Sequence, residues 1–284
     1  MPASSPPLRV AYMGPPRSFS HAAALALFAD RATFVVTRTI PDAVEAAASG
    51  EADLAIVPIE NSTEGGVNAT LDALFDSDLT ISAELVLDVE LCLLAKTAEL
   101  AAIRRVTSHP QPLGQCKQWL RRNLPHAEVV VAPSTTAAAQ DALTDPHTAA
   151  VGSRLAAELG LVVVREKIQD HEGNATRFVI VGRELTRPTG KDKTTLVFTT
   201  HHERGALRRV LEIFDEEQLN LTRIESRPLR GQLWEYAFFT DLEGHREDPA
   251  VARALERLES AGAMVRVLGS YPRFAGVPSS PPAG

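Results

Sequence analysis

The chain has 284 residues, 44% hydrophobic and 23% charged, the balance of a globular protein that can bury a core; at ~150 residues per domain this length suggests about two domains. Its 29 Lys and Arg stand against 36 Asp and Glu, a formal charge of −7 with no basic stripe, which argues against a nucleic-acid partner. The opening MPASSPPLRV has neither the charged start nor the apolar run of a secretion signal, and no stretch approaches the ~20 apolar residues of a membrane span.

Cys92 and Cys116 form no CxxC or metal-ligand spacing, so reduced, buried thiols and a cytoplasmic location are expected. Residues 8–12 form a short strand-like run broken at Gly14-Pro15-Pro16, after which Ser18-Phe19-Ser20 opens an Ala/Leu-rich helix through Ala29. A strand at 34–36, a helix at 41–48 and a buried apolar strand at 53–59 follow; Asn61-Ser62-Thr63 and a Gly pair then lead into a helix at 67–75. This alternation predicts an α/β sheet with its working loops at the strand ends.

Two long strand candidates, 84–95 and 161–168, read as crossovers. Between them lie a strand at 105–109, a helix at 113–123, a strand at 128–132, a helix from Ser134 and a strand at 148–152, which make a second α/β lobe. Two lobes enclose a cleft, a common place for a small ligand. A polar linker at 182–193 leads into strand 194–200, helix 205–214, strands 219–226 and 234–241, helix 249–261 and strand 265–269. That βαββαβ order predicts a small ferredoxin-like sandwich, and the tail from Val277 reads as disordered.

Four loops are expected to carry polar clusters at strand ends and helix starts: Gly14 to Ser20, Pro58 to Ser62, Ser108 to Gln111, and Asn174 to Phe178. Each alone is weak, and for Ser62 taken singly a helix N-cap is the plainer reading. Helix starts nevertheless suit anions, so several around one cleft would hold a small polyanion without a metal. A Cys116–His109 nucleophile is disfavoured, because Pro110 and Pro112 break the intervening chain and no orienting acid is apparent. His201 and His202 are consecutive on a strand and face opposite ways, and no HExxH, P-loop or dinucleotide fingerprint occurs.

In order, VPIENSTEGGV, SHPQPLGQC, STTAAA and GNATRF precede a module bearing GAL and ESRP. With these motifs, residues 10–271 resemble the prephenate dehydratases that carry a C-terminal ACT regulatory domain. The resemblance implies an α/β two-lobed catalytic module of the periplasmic-binding-protein type II kind over residues 8–184, its lobes split near 84–95 and 161–168. A ferredoxin-like α+β (βαββαβ) ACT domain then covers 194–272. The implied reaction is decarboxylating dehydration of prephenate to phenylpyruvate, water and CO2 in L-phenylalanine biosynthesis, by a lyase needing no cofactor and no metal.

By the same correspondence Thr176 is the catalytic hydroxyl, and Glu60, Asn61, Ser62, Ser108 and His109 are substrate-binding, together with Gln115, Thr136, Asn174, Arg177 and Phe178. Arg177 is expected to anchor a substrate carboxylate, with a structural ion pair as its plainer reading, and Phe178 to pack the cleft wall. His109 is open between a general acid and a neutral hydrogen-bonding group. Gly205, Ala206 and Leu207, with Glu225, Ser226, Arg227 and Pro228, correspond to an allosteric phenylalanine site, and a homodimer or homotetramer is implied.

One departure stands out. The family's first loop reads Gly-Pro-x-Gly-Thr-Phe, whereas this chain has Arg17 in place of the second glycine; if that glycine serves a positive φ, Arg17 alters the loop or adds a charge at the cleft mouth. Arogenate dehydratase, a non-aromatising prephenate decarboxylase of the same fold, and a non-catalytic small-molecule sensor remain alternatives.

Overall fold

The computed structural model describes residues 7–200, 203–228 and 236–273. The first lobe contains β1 (Leu8–Met13), α1 (Phe19–Phe28), β2 (Ala32–Thr37), α2 (Ile40–Ser49), β3 (Leu54–Asn61), β4 (Gly65–Gly66), α3 (Asn68–Asp76) and β5 (Thr80–Asp88). Local chemistry sets these boundaries. At the start of α2, Thr39 and Asp42 exchange side-chain-to-backbone hydrogen bonds in a capping box, and Gly50, at φ 84°, ends the helix.

The second lobe comprises β6 (Cys92–Ala95), β7 (Arg105–Ser108), α4 (Pro110–Gln115), α5 (Lys117–Asn123), β8 (Glu128–Val131), α6 (Thr135–Thr144), β9 (Thr148–Gly152) and β10 (Val162–Arg165). The chain then returns to the first lobe as β11 (Ala175–Gly182). The first sheet has the order β2-β1-β3-β11-β5, with β4 paired to β3, and the second has the order β10-β6-β9-β7-β8.

The two crossovers are shorter than the sequence suggests. The apolar run at 84–95 is divided between sheets, β5 in one and β6 in the other, so the chain passes between lobes at residues 89–91. It returns at 166–174 and enters β11, which lies between β3 and β5 and is antiparallel to both. The Asn174–Phe178 cluster is thus the head of a central strand and not a loop: the apolar Phe178-Val179-Ile180-Val181 stretch behind it takes the middle of the sheet.

Residues 183–191 link to the third unit: β12 (Asp192–Thr199), α7 (Ala206–Glu216), β13 (Leu221–Pro228), β14 (Tyr236–Glu243), α8 (Pro249–Ser260) and β15 (Val265–Pro272). Its antiparallel sheet has the order β13-β14-β12-β15, with the expected βαββαβ sequence. Alternation along β12 decides how this sheet is covered. Leu196 and Phe198 point to the helices and pack with Val210, Phe214 and Leu258, whereas Val197 points the other way.

That other face does not meet solvent. Val197, Phe239, Leu268 and Tyr271 join Val57, Ile59, Leu71, Leu74 and Val179 of the first lobe in one buried core. Burying each large apolar side chain stabilises by about 1.5–3 kcal/mol, so the shared core holds the two units together as one body. Gly269 permits a close backbone approach, since a Cβ there would collide with the Ile81 backbone of β5.

Candidate active site between the lobes

Thr176 of β11 is registered with Asn61 of β3, and Arg177 with Glu60. Successive side chains on a strand alternate, so Thr176 and Asn61 share one face of the sheet while Arg177 and Glu60 share the other. The register then shifts, Phe178 pairing with Pro58, which leaves Ile59 as the extra residue of a bulge directly beside the site.

On the first face a chain of amides runs from lobe to lobe. Asn61 Nδ2 donates to Thr176 Oγ1 (3.0 Å) and to Asn174 Oδ1 (2.9 Å), while Asn174 Nδ2 donates to Gln115 Oε1 (3.1 Å) at the end of α4. The Asn61 carbonyl oxygen accepts from the backbone N–H groups of Thr63 (2.9 Å) and Glu64 (3.2 Å), which settles which way its amide points. Because Thr176 Oγ1 accepts from Asn61, its own hydrogen is left to donate elsewhere.

The first loop closes against the second lobe. Thr136 Oγ1 donates to the Pro16 carbonyl (3.4 Å), Ser153 Oγ donates to the Arg17 carbonyl (2.9 Å), and Arg17 Nε lies 3.5 Å from the Glu158 carboxylate. Arg17 adopts φ 70°, a conformation that favours glycine. Its backbone N–H donates to His21 Nδ1 (3.0 Å), and the His21 ring stacks on Tyr12 at 5.0 Å. Burial holds the His21 pKa below the ordinary histidine value, with Glu158 opposing and Arg17 assisting.

Several expected site residues make framework contacts. Ser62 does not cap α3, whose N-cap is Val67: its Oγ donates to the Gly173 carbonyl (3.1 Å) and accepts from Ala175 N–H (3.0 Å), clipping down the strand that carries Thr176. Ser108 is buried and donates to the Val151 carbonyl (2.6 Å), tying β7 to β9. Phe178 is buried with Val10, Tyr12, Ile56 and Leu85 beneath the site rather than lining its wall. His109 is exposed at the residue preceding α4. Burial pushes the Cys116 thiol up to about 12, which leaves no nucleophile beside it.

Arg177 and Glu60 also depart from the expectation. The Arg177 guanidinium is buried on the face opposite Thr176, donating to Glu60 (3.2 Å), Glu84 (3.2 Å) and Asp241 (2.5 Å). Burial works against its charge, but the three carboxylates, Asp241 foremost, outweigh it and raise the pKa. All three of these carboxylate partners lie on the side of the sheet away from Thr176, the placement of the plainer ion-pair reading. Nothing local in the sequence announces Glu84 or Asp241, each an acid within a mostly apolar strand; Ser153 is signalled only as a polar residue just past strand β9.

In the third unit, Gly205 precedes α7 at φ 82°. Through the registers Phe198–Phe238–Ser226 and Thr199–Ala237–Arg227, it shares one end of the sheet with the end of β13. The ESRP side chains are divided between the two faces. Ser226 lies on the helix side, whereas the Glu225 carboxylate pairs with Arg223 and covers Gly66, and Arg227 donates to both Asp72 carboxylate oxygens (2.8 and 2.9 Å). His201 and His202 lie outside the described residues, as do positions 234 and 235 of the expected third strand.

Among the described residues no group of three or more His, Cys, Asp or Glu is arranged to hold a metal, and no helix is long and apolar enough to cross a membrane. A cavity of about 370 Å³ opens elsewhere, where the linker meets the third unit, lined by Thr80, Thr186, His245, Arg246 and Ser270 among others. It contains none of the motif residues, so the hydrogen-bonded cluster around Thr176 is the better candidate site.

Fold and site together define a two-lobed α/β enzyme module, with its polar residues gathered where the lobes meet, docked on a ferredoxin-like regulatory module. The prephenate dehydratase family model matches residues 10–186 and the ACT domain model residues 194–260. The chain belongs to the prephenate dehydratase family. A prephenate dehydratase of Mycolicibacterium smegmatis is 41% identical over 289 residues, covering 96% of this chain and 93% of the relative. Among solved structures, prephenate dehydratase from Arthrobacter aurescens in complex with L-Phe matches with a TM-score of 0.86 at 39% identity, covering 94% of this chain and 90% of that one. GqqA, described as a novel type of quorum-quenching acylase, also matches at TM-score 0.86 and 32% identity, over 94% and 98% of the two chains. One fold therefore carries more than one described activity, and the site residues must argue the reaction.

Proposed function

We propose that the protein converts prephenate to phenylpyruvate, water and CO2, with Thr176 donating a hydrogen bond to the departing ring hydroxyl. The supporting observation is the chain Gln115–Asn174–Asn61–Thr176, which fills the acceptor side of the threonine oxygen and leaves its O–H for the substrate. As the ring carboxylate leaves as CO2, the electron pair of its bond to the ring completes the aromatic system and expels the hydroxyl, which takes up a proton as water. A threonine is too weak an acid to supply that proton outright. A positioned hydrogen bond that strengthens as negative charge gathers on the leaving oxygen is the contribution its chemistry allows.

The substrate is a dianion, and Arg177 is committed to its own carboxylates. Its anionic groups are held by the starts of α1 and α6, which lie close to one another where Thr136 meets Pro16, with Arg17 at the mouth. His109, exposed before α4, offers a further hydrogen-bonding group to the substrate.

Phenylalanine regulates the enzyme through the third unit. The L-Phe complex of the Arthrobacter relative supports this reading, as does the placement of Gly205 and Ser226 at one end of the regulatory sheet. The assembly is a homodimer or a dimer of dimers formed through the regulatory modules: β13 is an edge strand, and its Ile224 is 45% exposed. The enzyme works in the cytoplasm.

The test is product identification after incubating purified protein separately with prephenate and arogenate, with and without phenylalanine. Phenylpyruvate from prephenate is expected. Phenylalanine formed from arogenate in preference would move the substrate assignment, a non-aromatic keto acid would mark a decarboxylase, and binding without turnover would leave a sensor.

A further inference from the structure

We propose that Asp241, a residue of the regulatory module, is a positioning residue for the reaction: it holds Arg177, and through Arg177 the bulged strand pair that presents Thr176 and Asn61. The proposal rests on the reading of Thr176 given above. It starts from a network that the reaction does not use. Asp241 is 1% exposed; one carboxylate oxygen accepts from Arg177 Nη2 (2.5 Å) and the other from Thr195 Oγ1 (2.7 Å), which in turn shares a hydrogen bond with the Tyr271 hydroxyl (2.6 Å). All three regulatory residues lie on the sheet face docked against the first lobe.

On the catalytic side Arg177 also donates through Nε to Glu60 (3.2 Å) and through Nη1 to Glu84, which is held by Lys193 Nζ at 2.7 and 3.0 Å. Arg177 and Glu60 are the chain neighbours of Thr176 and Asn61, and the pair sits at the bulge, where the β3–β11 ladder is interrupted. There the backbone hydrogen bonds do less to fix the strand pair than elsewhere in the sheet. The guanidinium fork does it instead, spanning the bulge from Glu60 to Asp241. Since a displacement near 1 Å can cost about a hundredfold in rate, a clamp one residue from the catalytic hydroxyl governs turnover without touching substrate. The regulatory module thereby completes the active site, and its docking is communicated to Thr176.

Charge balance makes the test clean. Without the Asp241 carboxylate, Arg177, Lys193 and Arg223 still face Glu60, Glu84 and Glu225, three cations against three anions, and an asparagine retains an oxygen for Thr195. The full-length Asp241→Asn variant is therefore expected to fold, to lose about tenfold in kcat for prephenate with KM within threefold, and to exchange its amides faster at residues 57–61 and 175–178. Arg266→Gln is the control: Arg266 also crosses between the units, donating to the Phe75 (2.7 Å) and Ser77 carbonyls, but lies outside the network, and its kcat is expected within twofold of the parent.

An Asp241→Asn enzyme with kcat within twofold of the parent and unchanged exchange at those segments would overturn the proposal, as would an Arg266→Gln enzyme equally impaired. Should Asp241→Asn not fold, Thr195→Val removes a donor from the same carboxylate and is read in the same way, with a smaller loss expected. A parent protein that does not turn over prephenate defeats the functional reading by itself, and the exchange comparison then decides the positioning claim alone.

Discussion

Asn61 and Thr176 face one another across β3 and β11, the Asn61 amide nitrogen 3.0 Å from the Thr176 hydroxyl oxygen. Because the amide is itself oriented by two backbone N–H groups, the acceptor side of the threonine oxygen is filled, and its hydrogen turned away from Asn61, before any substrate arrives. Preorganisation of this kind costs no rearrangement at the moment of reaction.

Thr176→Ala is expected to lower kcat at least a hundredfold, about 2.7 kcal/mol of barrier, with an unchanged circular dichroism spectrum. Asn61→Ala should act in the same direction, because it releases the Thr176 rotor and takes a partner from Asn174. Turnover of the Thr176→Ala enzyme within threefold of the parent would refute the assignment.

At Arg17 the backbone, more than the side chain, determines stability. Its contact with Glu158 is half exposed and contributes little, whereas φ 70° penalises any residue with a Cβ. Arg17→Gly is expected to be more stable than Arg17→Ala by about 1 kcal/mol in urea unfolding. Equal stability of the two variants would show that the loop relaxes out of the left-handed region.

His21 should make the protein sensitive to mild acid. Burial first of all depresses its folded pKa below 6.5, so the unfolded chain binds the proton more readily; the stabilisation is complete above the unfolded pKa and falls away as pH drops through the folded value. Protonation also removes the Nδ1 acceptor that holds Arg17 N–H. Between pH 7.5 and 5.5 the parent should lose more unfolding free energy than His21→Asn, which keeps an acceptor and cannot titrate. Parallel losses would assign the acid sensitivity to other groups.

Gly269→Ala tests the docking of the regulatory sheet. A methyl there meets the backbone oxygen and nitrogen of Ile81, and backbone cannot turn aside as a flexible side chain does. Overpacking of this kind costs about 1–3 kcal/mol. The expected result is a lower thermal midpoint with a first transition from the regulatory unit; an unchanged midpoint would place the two units farther apart than described.

The elements were readable in sequence wherever periodicity and punctuation agreed. Residues 205–214 repeat apolar positions at three and four, and Val210, Ile213 and Phe214 do form the buried stripe of α7. β11 was harder to see because its head, Ala175-Thr176-Arg177, is polar as a loop is, and only pairing with β3 and β5 on either side makes it a central strand. The site was legible as a set of motifs but not as a set of roles. Ser62, Ser108 and Phe178 occupy motif positions and make scaffold contacts, which burial and hydrogen-bond partners reveal and residue type does not.

Local order and composition by themselves indicate the two-lobed α/β module and the βαββαβ unit after it, since hydrophobic period and caps are properties of neighbouring residues, and the family resemblance carried by the motifs singles out Thr176 as the candidate catalytic threonine. Which face each side chain occupies was decided only by tertiary structure. One bulged register turns Thr176 toward Asn61 and sends its neighbour Arg177 through the sheet to Asp241, 64 residues further along the chain, because a strand exposes alternate residues to opposite sides and the partner on each side is set by packing.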